Sequence, residues 1–291
     1  MIGVDWGTSS LRAYRMDETG RVIERIAGAG GILGVTDGDF AGALRRAIGP
    51  WLADGDHRVL LSGMIGSRQG WVEAPYLPCP AGAADIAAAL VRVKFEGADV
   101  LLVPGLSDTD AASTPEVMRG EETQIIGVLA GTAEATACLP GSHSKWAQVS
   151  QGRITSFRTY FSGEAFAALR GATILGRMMN EAPHDPLAFE RGLARAEDPG
   201  HLLNHLFGVR TLGLFHRLSA DESGSYLSGL LIGHEVRAAL PKGATVHLIG
   251  AAPLCALYAR AITRAGGTPV IEDSEAAARG LHSIGASAPW I

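Results

Sequence analysis

Val4-Asp5-Trp6-Gly7-Thr8-Ser9-Ser10-Leu11-Arg12 is the stretch that decides how this sequence folds. An apolar strand pattern ends at a carboxylate, a turn rich in glycine and hydroxyl groups follows, and a second strand pattern begins after it. Such a turn directs backbone N–H groups and hydroxyls at phosphate oxygens, while Asp5 suits a hydrated Mg²⁺ and Arg12 adds positive charge. The predicted phosphate ligands are Gly7, Thr8 and Ser9. The alternative is an ordinary hairpin turn in which Thr8 and Ser9 bond only to the local backbone.

A pattern of three short strands surrounds this stretch and recurs later in the chain. The first copy is predicted at Ile2–Trp6, Leu11–Met16 and residues 22–26, and the second at residues 135–139, 145–150 and 153–157. Further strands are predicted at Arg58–Ser62 and residues 100–103, 245–249 and 269–272. Helices are predicted at residues 39–51, 83–94, 164–175, 186–194, 225–240, 253–265 and 274–285, and at Glu121–Leu129. The alternation indicates an α/β fold, and the recurrence indicates two similar halves with a cleft between them.

The length of the chain agrees with two halves of this kind. It has 291 residues, 47% of them apolar, which is enough for two domains of ordinary size. Residues 104–115 have the composition of a loop and are the predicted crossing between the domains. We therefore expect an N-terminal domain at residues 1–110 and a C-terminal domain at residues 111–291. The last helix is expected to pack back on the N-terminal domain.

Charge and cysteine content exclude several classes of function. The net charge of -5 comes without any run of Lys or Arg, which argues against a nucleic-acid partner. Cys79, Cys138 and Cys255 are far apart and lack metal-ligand spacing, so we expect no disulfide framework or zinc site, and a cytoplasmic location. No segment approaches the roughly 18 uninterrupted apolar residues of a membrane span. The early strand pattern leaves no room for a signal peptide.

The turn of the second three-strand pattern is Pro140-Gly141-Ser142-His143-Ser144-Lys145-Trp146. Gly141 and Ser142 offer N–H and hydroxyl donors, and Lys145 offers a cation, so this turn is predicted as a second phosphate site. A glycine–serine turn is more often only a turn, and its position in the second half is what favours phosphate binding.

An apolar strand at residues 245–249 runs into the small residues Gly250, Ala251 and Ala252 and then into a helix. Small side chains there allow a flat nucleoside to lie against the backbone, and the helix N-terminus adds donors. The alternative is close packing of helix on strand, which is the commoner reason for such residues.

Residues 61–76 form an unusual loop after a strand, with Gly63, Met64, Arg68, Trp71 and Tyr76 as candidate ligands. Loops that follow strands in α/β layers commonly hold ligands. The guanidinium of Arg68 suits a substrate carboxylate, and the two aromatic rings suit the carbon chain of a sugar. The alternative is a packed loop whose aromatic side chains belong to the core.

These motifs, in this order and with two three-strand patterns, resemble the actin, hexokinase and Hsp70 superfamily. The resemblance implies a two-domain ribonuclease H-like fold, in which each domain is a mixed sheet with flanking helices. It implies that Asp5–Arg12 and Gly141–Lys145 bind the phosphates of ATP and that Gly250, Ala251 and Ala252 contact its adenosine. The chain departs from many members by having Pro140-Gly141-Ser142 in place of Asp-Gly-Thr and Gly-Ala in place of Gly-Gly.

Sugar kinases of this superfamily place a catalytic carboxylate at a helix start about 20 residues before the second phosphate motif, which here is Glu121, with Glu122 as the alternate. Such a base accepts the proton of the substrate hydroxyl that attacks the γ-phosphate. Relatives usually have Asp after Gly or Asn, whereas this chain has Glu after Gly120. The alternative is that both acids only oppose the helix dipole.

The segments at residues 63–76, 119–124, 141–146, 161–164 and 227–233 together resemble the 2-dehydro-3-deoxygalactonokinase family over nearly the whole chain. The resemblance implies ATP- and Mg²⁺-dependent phosphorylation of the 6-hydroxyl of 2-dehydro-3-deoxy-D-galactonate. It also implies that Arg12, with residues of the loop after the strand, contacts the sugar acid. A kinase for another sugar or sugar acid, and an ATPase of the actin and Hsp70 type, are the alternatives. The sequence leaves the oligomeric state open, with a homodimer as one option.

Overall fold

The computed structural model describes residues 1–291, which divide into two compact units. The first unit consists of Met1–Ala135, Ala147–Arg158 and Glu272–Ile291, and the second of Thr136–Trp146 and Thr159–Ile271. These units are discontinuous in sequence, unlike the predicted segments 1–110 and 111–291. None of the helices combines the length and the apolar character needed to cross a membrane.

The elements up to residue 129 all belong to the first unit. Its strands are β1 (Ile2–Trp6), β2 (Leu11–Met16), β3 (Val22–Gly28), β4 (Arg58–Ser62), β5 (Tyr76–Pro78), β6 (Val91–Val93), β7 (Asp99–Leu102), β8 (Gly105–Thr109) and β9 (Pro115–Met118). Its helices over this range are α1 (Phe40–Ala53), α2 (Ala83–Ala88) and α3 (Glu121–Leu129). The first two strands and β4 have the predicted bounds, because short apolar runs bounded by turn residues are local information.

In the remaining part of the chain three strands are followed by four helices, and strands and helices then alternate to the end. The strands are β10 (Glu134–Leu139), β11 (Ser144–Ser150), β12 (Arg153–Tyr160), β13 (Thr245–Leu248) and β14 (Thr268–Ile271). The helices are α4 (Ser162–Ala172), α5 (Pro186–Glu197), α6 (Leu202–Leu214), α7 (Ala220–Ala239), α8 (Ala252–Arg264) and α9 (Ala276–Gly285).

Two large sheets repeat one strand order. The first runs β3-β2-β1-β4-β7-β6 and the second β12-β11-β10-β13-β14, so each begins with a three-strand meander whose first strand adjoins the next strand of the α/β layer. In the first sheet β1 pairs antiparallel with β2 and parallel with β4, and in the second β13 is parallel to both β10 and β14. The repeat confirms the predicted two-part α/β fold of the ribonuclease H-like kind.

The core of the first unit lies between its sheet and α1. Strand β4 is buried from Val59 to Ser62, as expected of a central parallel strand covered on both faces. Helix α1 buries Phe40, Leu44 and Ile48, which are four residues apart and therefore share one face. Asp39 caps this helix, because its side chain accepts a hydrogen bond from the backbone N–H of Gly42.

Helix α9 returns to the first unit and packs on β1 and α3. The side chain of Leu281 lies against Gly3 of β1. A Cβ atom at Gly127 of α3 would collide with the backbone of Ala276, and one at Gly280 of α9 would collide with that of Thr123. Glycine at these positions lets the two helix backbones come into contact, which brings the end of the chain and α3 into one unit.

Three segments differ from the sequence predictions. The helix predicted at residues 83–94 ends at Ala88, because residues 91–93 pair with β7 as an antiparallel strand. Residues 104–115 are not a loop between domains, since β8 lies within them and pairs with β5 and β9 in a small sheet of the first unit. Helix α6 was not predicted, because apolar residues occur around its whole circumference, with Leu203, Phe207 and Leu214 exposed.

Candidate functional site

Asp5 lies at the end of β1, where the sequence predicted a carboxylate that holds Mg²⁺. Its side chain is 14% exposed, and Arg12 of the paired strand β2 lies 3.5 Å from one carboxylate oxygen. Burial raises the pKa of Asp5 above its usual value, the positive charge of Arg12 opposes that effect, and the negative charge of Glu121 adds to it. The structure therefore brings Asp5, Arg12 and Glu121 into one electrostatic cluster.

The turn after Asp5 is tight and leaves its hydroxyls accessible. The backbone N–H of Gly7 donates to the carbonyl of Ser10 at 2.9 Å, which closes the turn. The carbonyls of Gly7 and Thr8 accept hydrogen bonds from the N–H groups of Ile32 and Leu33, so a second segment supports the turn. Thr8 and Ser9 are both exposed, which leaves the predicted phosphate-binding side chains open to a ligand.

Two glycines bring β4 and α3 against the end of β1. Gly63 follows β4 with φ at 93°, and Gly120 precedes α3 with φ at 107°, a region that other residues rarely adopt. A Cβ atom at Gly63 would lie 2.8 Å from the carbonyl oxygen of Trp6 and 3.4 Å from the Asp5 carboxylate. One at Gly120 would lie 3.1 Å from the Cα atom of Gly63. Glycine is therefore required for the start of α3 to reach Asp5.

The two acids at the start of α3 have different environments. Glu122 is fully buried, and its carboxylate accepts hydrogen bonds from the N–H of Gly120 at 2.7 Å and the hydroxyl of Thr123 at 3.1 Å. Burial, with the nearby charge of Glu121, raises the pKa of Glu122 to about 7. Glu121 is only half-buried, and its carboxylate accepts a hydrogen bond from the N–H of Arg119 at 3.0 Å. Of the pair, Glu121 is the more accessible to a substrate.

The predicted ligands in the loop after β4 lie in different environments. The side chain of Arg68 is 87% exposed and lies 3.4 Å from Glu73 on the surface. Trp71 packs against the core of the first unit and meets Phe95 edge to face, with ring centroids 6.1 Å apart. Met64 is partly buried against the same core. Only Tyr76, which is 43% exposed, keeps an open ring near the start of α3.

Arg119, which the sequence analysis did not single out, is the buried arginine of this region. It is 9% exposed, its Nη2 donates to the carbonyl of Ala74 at 2.8 Å, and its guanidinium lies 4.4 Å from the ring centroid of Tyr76. The only sequence signal was its place directly before Gly120 and Glu121. Its burial depends on contacts with residues some 45 positions away in sequence.

In the second unit, the predicted second phosphate turn lies between β10 and β11 against the start of α4. A Cβ atom at Gly163 would collide with the backbone of Gly141, and the N–H of Glu164 donates to the carbonyl of Ser142 at 3.0 Å. His143 stacks on Phe161 with ring centroids 5.4 Å apart. The turn is thus held in place by contacts with one helix, while Ser142 itself is exposed.

A buried polar network fixes the strand that leaves this turn. The hydroxyls of Ser144 and Tyr258 are 2.8 Å apart, and Glu235 accepts hydrogen bonds from Tyr258 at 2.8 Å and from the indole N–H of Trp146 at 2.9 Å. Burial raises the pKa of Glu235, and the hydrogen bonds that it receives oppose this effect. The network ties β11 to α7 and α8. Lys145, between its members, donates from Nζ to the carbonyl of His143 at 3.1 Å.

The predicted adenosine segment lies beside the same turn. The parallel pairing of β10 with β13 places their ends together, and a Cβ atom at Gly250 would lie 3.5 Å from the carbonyl oxygen of Pro140. Gly250, Ala251 and Ala252 are all exposed. The structure therefore joins the second phosphate turn and the adenosine segment at one edge of the second sheet.

A cavity of about 340 Å³ opens next to this edge and lies wholly in the second unit. Gly141 and Gly163 line one end, Leu254 of α8 lines a wall, and Asp221 and Ser228 of α7 supply polar groups. Mostly apolar walls with a few converging polar groups are typical of a small-molecule site. Sequence reasoning found the two glycine-containing motifs beside the cavity, but it named Ser228 only as part of the family segment 227–233 and did not single out Asp221, which precedes the helix predicted at residues 225–240.

Comparisons with known proteins agree with one another. The family model described as 2-keto-3-deoxy-galactonokinase matches residues 5–284. The chain is 35% identical to the Probable 2-dehydro-3-deoxygalactonokinase DgoK1 of Rhizobium meliloti strain 1021, over 99% of this chain and 96% of the relative. It is 32% identical to the 2-dehydro-3-deoxygalactonokinase of Escherichia coli strain K12, over 91% and 90% of the two chains. A crystal structure of a Sinorhizobium meliloti protein that carries the same activity in its name superposes with a TM-score of 0.89, at 34% identity over 98% and 97% of the chains.

Proposed function

This chain belongs to the 2-keto-3-deoxy-galactonokinase family, and from that premise we propose that it phosphorylates the 6-hydroxyl of 2-dehydro-3-deoxy-D-galactonate with ATP. The product is 2-dehydro-3-deoxy-6-phospho-D-galactonate, in the breakdown of D-galactonate. The observation that carries this assignment is the family match from residue 5 to residue 284, which includes both phosphate turns and the start of α3. The protein is therefore a phosphotransferase whose acceptor is an alcohol group.

We assign the nucleotide contacts to residues of both phosphate turns. Backbone N–H groups and hydroxyls of Gly7, Thr8, Ser9, Gly141 and Ser142 are the proposed donors to the phosphates, and the ammonium of Lys145 is the proposed cation. The exposed small residues Gly250, Ala251 and Ala252 are the proposed platform for the nucleoside. The cavity beside them supports this assignment, since its volume is in the usual range for small-molecule sites.

The residues present fit an ATP–Mg²⁺ cofactor. Asp5 is a mostly buried carboxylate whose pKa is raised, so a cation bound beside it would stabilise its ionised form. Mg²⁺ is commonly held by one or two carboxylates together with the phosphates of the substrate, and Asp5 suits that role. When bound, the cofactor supplies the phosphoryl group and a cation that neutralises the charge developing on it.

We propose Glu121 as the general base. Its carboxylate is partly accessible and is oriented by the N–H of Arg119, and its negative charge acts on Asp5 of the phosphate turn. In that position it would accept the proton of the acceptor hydroxyl as the oxygen attacks phosphorus. Glu122 is fully enclosed and already accepts two hydrogen bonds, which favours a structural role for it.

A substrate panel tests the proposed function. The purified protein is incubated with ATP and Mg²⁺ and with 2-dehydro-3-deoxy-D-galactonate, other 2-keto-3-deoxy sugar acids or glucose. ADP release gives kcat/KM, and phosphorus NMR of the product identifies the hydroxyl that carries phosphate. We expect the galactonate derivative to be phosphorylated at its 6-hydroxyl with the highest kcat/KM. Equal or faster turnover of glucose would contradict the proposal, and ATP hydrolysis without any phosphorylated product would indicate an ATPase of another kind.

A further inference from the structure

Buried polar groups without hydrogen-bond partners are concentrated around the loop that follows β4. The hydroxyls of Ser62 and Ser67 and the Nε and Nη1 atoms of Arg119 are all enclosed and make no hydrogen bond. Ser62 is paired with Asp5 across the β1–β4 ladder, and Ser67 directly follows Gly66. A Cβ atom at Gly66 would lie 3.1 Å from Nη1 of Arg119, so the arginine reaches the same loop.

Of these groups, the guanidinium of Arg119 has the highest free-energy cost of burial, because two of its nitrogens have no hydrogen-bond partner. A guanidinium is always charged, and burying a charge without an ionic or well-bonded partner is unfavourable by several kcal/mol. The acceptor of Nη2 is the neutral carbonyl of Ala74, and the ring of Tyr76 supplies a cation–π contact, which is weaker than pairing with an opposite charge. These contacts leave the charge of Arg119 undercompensated, which is typical of a group that a ligand completes.

We propose that the guanidinium of Arg119 binds the carboxylate of the sugar-acid substrate, with Ser62 and Ser67 as additional hydroxyl donors. The proposal rests on the proposed function, since it assumes a substrate that carries both a carboxylate and a reacting hydroxyl. A carboxylate is the natural partner of a guanidinium, and such charge-assisted hydrogen bonds are about twice as strong as neutral ones. The carboxylate would replace the weaker contact with the partly exposed ring of Tyr76.

Arg119 lies two residues before Glu121, and this spacing suits contacts with opposite ends of one such substrate. The backbone N–H of Arg119 donates to the carboxylate of Glu121, while Nη2 of its side chain donates to the carbonyl of Ala74. An arginine side chain is comparable in length to an extended chain of six carbons, which suits a substrate held by the base at one end and by this guanidinium at the other. A sugar acid with its terminal hydroxyl at Glu121 has its carboxylate near Arg119.

Arg68 is the competing candidate from the sequence, and its surroundings are less suited to recognition. Its side chain is 87% exposed and already lies near Glu73. A carboxylate bound there would stay in contact with water, where an ion pair contributes little. The guanidinium of Arg119 is enclosed, and a buried polar group that stays unpaired is what rejects a substrate without the matching charge.

The test compares an acid and its neutral analogue in variants of both arginines. The substrates are 2-dehydro-3-deoxy-D-galactonate and its primary carboxamide, which has nearly the same shape without the charge. The variants are Arg119→Gln, Arg119→Lys and Arg68→Gln, and kcat/KM is measured with saturating ATP and Mg²⁺. Melting curves establish that each variant is folded.

We expect the wild type to prefer the acid over the carboxamide by about 10- to 100-fold, the range for hydrogen bonds to charged groups. Arg119→Gln is expected to remove this preference by lowering kcat/KM for the acid alone, Arg119→Lys to keep part of it, and Arg68→Gln to keep all of it. An equal loss for acid and carboxamide in Arg119→Gln would show a merely structural role and overturn the inference.

Two further outcomes are decisive even if Arg119→Gln fails to fold. A full acid preference in Arg119→Lys, or its loss in Arg68→Gln, would overturn the role of Arg119 while leaving the proposed kinase activity in place. A wild-type enzyme that phosphorylates no sugar acid would instead overturn the proposed function and this inference with it.

Discussion

Replacing Glu122 by glutamine is expected to change how the stability of the protein depends on pH. Glu122 is fully buried at the start of α3, where its carboxylate accepts hydrogen bonds from the N–H of Gly120 and the hydroxyl of Thr123. Burial is the main cause that raises its pKa, from 4.5 to about 7, and the charge of Glu121 adds to the effect. In the folded protein this carboxyl therefore holds its proton up to near neutral pH.

The sign and size of the effect follow from proton linkage. Between pH 4.5 and 7 the unfolded chain releases the proton of Glu122 while the folded protein keeps it, so rising pH favours unfolding over this range. A shift of about 2.5 pH units, at 1.36 kcal/mol per unit, corresponds to about 3 kcal/mol. The contribution of the protonated group is complete below pH 4.5, falls as pH rises, and is lost above about 7.

Urea unfolding of the wild type, Glu122→Gln and the surface control Glu96→Gln, at several pH values from 4.5 to 8, measures this contribution. The free energy of unfolding of Glu122→Gln should rise relative to the wild type by about 3 kcal/mol between pH 4.5 and 7 and stay level above. Glu96→Gln should follow the wild type, because Glu96 is exposed. A difference between Glu122→Gln and the wild type that does not vary with pH would refute the assigned shift.

The other predictions concern the base and the backbone that positions it. Glu121→Gln should lower kcat by about 10²- to 10⁴-fold, which is the usual contribution of a general base. Its affinity for ATP, measured by calorimetry, should stay nearly unchanged. If Glu121→Gln were as active as the control Glu73→Gln, the base would have to be another residue. Gly63→Ala should destabilise the protein by more than the roughly 1–3 kcal/mol expected of backbone strain alone, because its Cβ meets the carbonyl oxygen of Trp6 at 2.8 Å. Gly97→Ala is the matched control, since its φ of 89° is similar and no atom lies within 4 Å of the added Cβ. Equal unfolding free energies for the two alanine variants would contradict the close approach of β4 to β1.

Elements with a strong local pattern were predictable from the sequence. Strands β1, β2 and β4 and helix α3 have the predicted bounds, because a short apolar run between turn residues and a glycine before a helix act within a few residues. The recurrence of the three-strand meander was also visible. Helix α6 and the small sheet around β8 were missed, because apolar residues surround the helix and polar residues fill the strand, so neither has the periodicity that local rules detect.

The placement of the candidate site residues was predictable only where it depends on neighbours along the chain. Asp5 was predicted from the residues beside it and Glu121 from the resemblance to sugar kinases, and the structure brings them together through Gly63 and Gly120. The loop after β4 was identified as well, but the environments of its side chains were not. Trp71 lies against the core, which is the alternative that the sequence left open for the aromatic side chains of this loop.

The sequence by itself determined the order of the elements, the repeated meander and the turn from Asp5 to Arg12, since each depends on neighbours along the chain. Only the tertiary structure decided that Arg119 is enclosed and Arg68 is exposed. The two arginines have similar local surroundings of glycine and polar residues. Burial is the sum of contacts with residues distant in sequence, here Ala74, Tyr76 and Gly66 around Arg119, and no local pattern contains that sum.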